Sequence, residues 1–219
     1  MTVKMTVNDF IIRYFNQTKD LIYQEKDYVT ELDSATGDGD HWVNVNKGFE
    51  QITSLFEDDS TNLNFSDFFK KIGMTMFSAV GGSSGALYGS GYIAASKECK
   101  AKNYEQELDI HALYDVYHAM LEEMMKRGKT QPGQKTMIDA LYNALQAYKT
   151  SMDANKSETE IIESFIQGAK DGAEATRNME AVKGRASYRT DKGVGHLDPG
   201  AVTMAMQLES LGNYILKTL

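Results

Sequence analysis

The chain's 219 residues fit one large domain or two small ones, and a hydrophobic content of 42 % is enough for a substantial core. A net charge of −8 excludes the basic footprint of a nucleic-acid binder, and the single cysteine, Cys99, excludes an internal disulfide framework and suits a reducing compartment. No apolar run is long enough to span a bilayer and no signal-peptide pattern opens the chain, so a cytoplasmic protein with no nucleic-acid or membrane partner is expected.

With only two prolines and twelve methionines, the composition favours helices around an adaptable interior. In chain order, Phe10, Ile11, Tyr14, Phe15, Leu21 and Ile22 form a first apolar face. A later face runs through Leu113, Val116, Tyr117, Met120, Leu121 and Met124, at the i, i+3, i+4, i+7 spacing of an amphipathic helix. Ile138, Leu141, Ala144, Leu145 and Tyr148 repeat the pattern, as do Ile161, Ile162, Phe165, Ile166 and Ala169. The last set is Ala201, Met204, Ala205, Leu208, Leu211 and Ile215. No stretch sustains a period of two. The expectation is an all-α, single-domain chain over residues 1–219, with about eight amphipathic helices. Breaks rich in Gly, Pro, Asp and Ser fall at 33–40, 57–66, 81–85, 127–135, 150–157 and 183–200.

These breaks carry the chemistry. The stretch ELDSATGDGDHW (31–42) gathers Glu31, Asp33, Asp38 and Asp40 around two glycines. Mutual repulsion makes that costly unless water or a cation relieves it. The turn is either a site for a hard ion such as Mg²⁺, which takes carboxylate oxygens and substrate phosphates, or a solvated turn whose Asp caps a helix. A calcium loop of the EF-hand type does not fit. Counting from Asp38, Trp42 stands at the third ligand position and Val43 where glycine is required; counting from Asp33, Ala35 stands at the third position.

GGSSG (81–85) is either a phosphate-binding nest at a helix start or an ordinary turn with Ser capping. GSGYIA (89–94) matches the dinucleotide fingerprint only formally, since no strand precedes it. GKT at 128–130 lacks the P-loop glycine, with Glu123 in its place. In KGRASYRTDKGVGHLDPG (183–200), Arg185 and Arg189 sit in a glycine-rich loop with His196 and Asp198. Arginine there suits bidentate phosphate recognition, or simply forms a solvated basic turn. His111 and His118, seven apart on a helix, read as packing or surface residues. Together, a carboxylate cluster, a Gly/Ser loop and an Arg-bearing loop supply the parts of phosphoryl transfer: metal, phosphate cradle and cationic clamp.

LDSATGDGDHWVNVNKGF, GGSSGALYGS, PGQKTMIDAL and GRASYRTDKGVGHLDPGA, taken together, resemble the nucleotide-binding L subunit of bacterial dihydroxyacetone kinases of the phosphotransferase-dependent type. The resemblance implies a barrel of eight antiparallel amphipathic helices with the nucleotide at one end. It implies that Asp33, Asp38 and Asp40 bind Mg²⁺, with two ions expected, and that these ions bridge to the phosphates of ADP or ATP. By the same resemblance His41 and Asn44 contact the nucleotide and Gly82 and Ser83 lie against the phosphates. Gly128 and Met137 line the adenine side, and Arg185, Asp198 and Gly200 complete the pocket. Catalysis would rest on Asp33, Asp38, Asp40, His41 and Arg185, without a covalent nucleophile. The partners implied are a phosphohistidine donor (M) subunit, which recharges bound ADP, and a K subunit, which holds dihydroxyacetone. The chain departs from the family pattern at Trp42, usually glycine, at Val45, usually methionine, and at Gln134, usually acidic.

Two further functions are compatible with the same barrel. One is a related kinase acting on another carrier-bound substrate, such as a fatty acid on a binding protein. The other is a nucleotide-sensing regulatory subunit that binds a transcription factor.

Overall fold

The computed structural model describes residues 3–57 and 63–219. Helix α1 is assembled from Val7–Asp9, a π-helical segment Phe10–Phe15 and Asn16–Gln24. It is followed by α2 (Lys26–Thr36), α3 (His41–Ser54), α4 (Phe65–Ala79), α5 (Gly82–Lys102), α6 (Ile110–Gly128), α7 (Met137–Asp153), α8 (Glu158–Ala175) and α9 (Pro199–Leu216). Short 3₁₀ turns occupy Thr176–Asn178 and Arg185–Tyr188. A two-residue antiparallel ribbon pairs β1 (Met5–Thr6) with β2 (Glu107–Leu108).

The helices close into a ring. α3 packs on α4, α4 on α5, α5 on α6, α6 on α7, α7 on α8 and α8 on α9; α9 returns to α1, and α1 packs on α3. The ends of α4 and α6 and the starts of α3, α5 and α7 lie at one end of the ring, so successive helices from α3 to α8 run antiparallel. α9 starts at the same end as α3, α5 and α7. The barrel is all-α, as the periodicity implies.

The interior is filled by side chains. Phe10 meets Phe65, Phe69 and Phe68 edge-on at centroid distances of 5.2, 6.1 and 6.4 Å, and Phe69 stacks on Tyr92 at 6.1 Å. Each such ring is fully or nearly fully buried and contributes about 1.5–3 kcal/mol of transfer free energy. A cavity of only about 10 Å³ remains among Tyr14, Tyr88, Tyr92 and Tyr117.

Most breaks expected from sequence shift: residues 82–85 form the first turn of α5, α6 runs on to Gly128, and the last break already opens after Ala175. Asp33 to Thr36 belong to the last turn of α2, and α7 runs on to Asp153. A further break at 103–109 carries no Gly or Pro; it opens with Asn103 in the left-handed region at φ 64°, the residue type that tolerates it best after glycine. Part of the expected 57–66 break lies outside the described residues.

Candidate functional site

The ends of α2, α4 and α6 and the starts of α3, α5, α7 and α9 meet at one end of the barrel. They surround an open cavity of about 650 Å³. The segment 183–188 and Asp198–Gly200 close its remaining side. All twelve residues expected from sequence line this cavity: Asp33, Asp38, Asp40, His41, Asn44, Gly82, Ser83, Gly128, Met137, Arg185, Asp198 and Gly200.

The acidic turn converges. Asp33, Asp38 and Asp40 each present a carboxylate oxygen, and the three oxygens lie within 4.8 Å of one another. Asp33 is buried, whereas the other two are exposed. Gly37 permits the approach, since a Cβ there would stand 2.3 Å from the Asp33 carboxylate. Asp40 occupies the N-cap position of α3, yet its side chain makes no cap hydrogen bond. Asp40 itself is therefore not spent on capping. The first amide of α3, that of His41, donates instead to Asp33 Oδ2 at 3.0 Å. Arg185 reaches Asp38 at 2.5 Å from the glycine-rich loop, with both side chains exposed.

The donor set fits a hard divalent cation. It is all carboxylate oxygen, with no thiol, and the neighbouring imidazole is turned away: His41 Nε2 lies 2.9 Å from Thr203 Oγ1. Burial lowers the pKa of His41 below the ordinary imidazole value, against the opposing pull of Asp33 and Asp40.

Four helix N-termini face the cavity, and they are treated differently. Thr136 and Asp139 form a capping box on α7, and Asp198 accepts from the Ala201 amide at 2.7 Å on α9. α5 begins after Gly81 with no side-chain cap, and Gly82 takes φ +64°. Among the described residues no side chain caps its first-turn amides, and Gly82, Ser83 and Ser84 line the same cavity as the carboxylate cluster. Uncapped amides at the positive end of a helix dipole suit a phosphate.

Sequence reasoning missed Lys135. Its ammonium is buried and donates to the carbonyls of Thr176 and His196, and its backbone is left-handed at φ 58°. Burial lowers its pKa, while Asp198 opposes the shift. Burial in turn raises Asp198 to about 7, with Lys135 and the Ala201 amide working against it. A Thr-x-x-Asp signature at 136–139 was the available clue to this corner. Arg127, Thr130, Lys183 and Tyr188 also line the cavity without having been singled out. Trp42 does not line it, so its indole points away from any nucleotide there.

The family model described as the DAK2 domain matches residues 35–213. The chain belongs to the DAK2 domain family. It is 36 % identical over 210 residues to the PTS-dependent dihydroxyacetone kinase, ADP-binding subunit DhaL, of Lactococcus lactis, covering 94 % of this chain and 97 % of that one. It is 32 % identical over 201 residues to the PEP-dependent dihydroxyacetone kinase, ADP-binding subunit DhaL, of Escherichia coli, covering 92 % and 94 % respectively. The crystal structure of the dihydroxyacetone kinase from C. freundii in complex with AMP-PNP and Mg²⁺ superposes with a TM-score of 0.69 at 24 % identity. That match covers 94 % of this chain and 33 % of the other, and it shows a shared fold. The family expected from the motifs is thus the family found. No helix among the described residues is long and apolar enough to cross a membrane.

Proposed function

We propose that this chain is the ADP/ATP-binding subunit of a dihydroxyacetone kinase. In this reading a phosphohistidine donor subunit recharges ADP held in the barrel. The γ-phosphoryl then passes to dihydroxyacetone held on a separate K subunit. The observation that carries the reading is the convergence of Asp33, Asp38 and Asp40 beside the uncapped start of α5, within one cavity. Near full-length similarity to subunits of that description supports it.

Asp33, Asp38 and Asp40 would hold Mg²⁺, with two ions as the finer expectation. Bound there, Mg²⁺ would neutralise charge on the nucleotide phosphates. The amides of Gly82 and Ser83 would orient the phosphates, and Arg185 would add positive charge from the opposite wall. Gly128 and Met137 would accept the base, with Asn44, Asp198 and Gly200 fixing the remaining contacts. No side chain serves as a covalent nucleophile in this scheme. The chain aligns the reactants and stabilises charge.

The test is reconstitution. Mixed with a K subunit and a phosphorylated donor subunit, the chain should restore dihydroxyacetone phosphorylation, and Asp38→Asn should not. Binding of ADP without restored phosphorylation would favour a nucleotide sensor over a kinase subunit.

A further inference from the structure

Trp42, the one tryptophan of the chain, lies two residues beyond Asp40 and outside the cavity. Its ring is buried, and its indole N–H donates to the Ile22 carbonyl at 2.7 Å. Ile22 lies in the last turn of α1, where carbonyls lack a partner within the helix. On the ring face, Lys26 Nζ stands 5.0 Å from the centroid, within cation–π range. One side chain from the first turn of α3 therefore engages both the end of α1 and the start of α2.

The placement matters because of what hangs between α2 and α3. Asp33 closes α2, Asp40 opens α3, and Asp38 sits on the connecting turn with Gly37 and Gly39. Three like charges within 4.8 Å repel, and a glycine-bearing turn offers little resistance to their separation. The His41–Asp33 hydrogen bond ties the two helices from inside the site. Trp42, the next residue, ties them from behind.

We infer that Trp42 is a positioning residue for the cation site, holding the first turn of α3 against the α1–α2 corner so that the three carboxylates are converged before a cation arrives. The inference rests on the metal reading proposed above.

The experiment is Mn²⁺ titration of the nucleotide-free protein, followed by electron paramagnetic resonance at 10 °C, for wild type, Asp38→Asn, Trp42→Phe and Trp42→Gly. Circular dichroism establishes that each is folded at that temperature. Trp42→Phe keeps a ring and loses the donor. It should weaken Mn²⁺ binding about fivefold, the equivalent of one hydrogen bond, and Trp42→Gly should weaken it further. A purely structural role would lower the melting temperature and leave the affinity of the folded protein unmoved, and that result would overturn the inference. Wild type that binds no Mn²⁺ without nucleotide would overturn this inference, which requires a preformed site, and leave the metal reading to ADP binding in Mg²⁺; Asp38→Asn that binds Mn²⁺ as wild type does would remove the metal reading and this inference with it.

Discussion

At the end of the barrel where α1, α4, α6 and α8 begin, every helix start is closed by its own side chains. Thr6 and Asp9 box α1, Asn64 accepts from the Asp67 amide at 2.8 Å, Asp109 accepts from the Ala112 amide at 2.8 Å, and Ser157 and Glu160 box α8. Behind those caps lies a dry cluster of phenylalanines. At the opposite end α7 and α9 are capped in this way, the first amide of α3 donates to Asp33, and α5 has no side-chain cap in the cavity that the three converging carboxylates also line. One end satisfies its backbone internally and contributes stability. The other leaves the start of α5 uncapped and gathers three carboxylates, which costs stability and creates a place for an anion and its counter-cation.

The contrast breaks most sharply with a core substitution. Phe68→Ala, at the dry end, should cost about 3–5 kcal/mol in urea denaturation while leaving ADP affinity of the folded protein unchanged. Asp38→Asn should do the reverse. Its ion pair with Arg185, the one it makes among the described residues, is exposed, so stability should hold, whereas ADP affinity in Mg²⁺ should fall about a hundredfold by calorimetry.

Gly81→Asp sharpens the comparison by supplying the missing cap. Its backbone conformation suits any residue, although the new Cβ would press on the Asn44 side chain at 2.7 Å. It should weaken ADP binding about tenfold, because a carboxylate then competes for the amides a phosphate would use. The counterpart at the far end, Ser157→Ala, should cost about 1 kcal/mol of stability with no change in ADP affinity.

The smallest effect is a pH slope. Burial raises Asp198 to about 7 in the folded protein, above the ordinary carboxylate value. Between those values the folded chain retains a proton that the unfolded chain has released. The group's contribution to stability therefore falls as pH rises through this window and is fully lost above about 7. Nucleotide-free Asp198→Asn, compared with wild type by urea titration in chelator at pH 5 and pH 8, should gain relative stability at the higher pH.

The helices were legible because their apolar faces recur at the helical period, and the site because glycine, acid and arginine concentrate in the turns. What stayed hidden depended on contacts distant in sequence. The π-helical segment in α1 and the α1–α2 corner at Glu25 carry no Gly or Pro. Lys135 reads as one more charge on a turn until Thr176 and His196, far along the chain, supply the carbonyls that bury it. Trp42 reads only as a departure from the family's usual glycine until Ile22, twenty residues earlier, offers its indole a partner.

ADP binding by isothermal titration calorimetry, with Mg²⁺ and again with excess EDTA, tests the central claim most directly. A carboxylate cluster that grips the diphosphate through a divalent ion predicts strong binding in Mg²⁺ and its loss in EDTA. Equal affinity in both buffers would contradict the account.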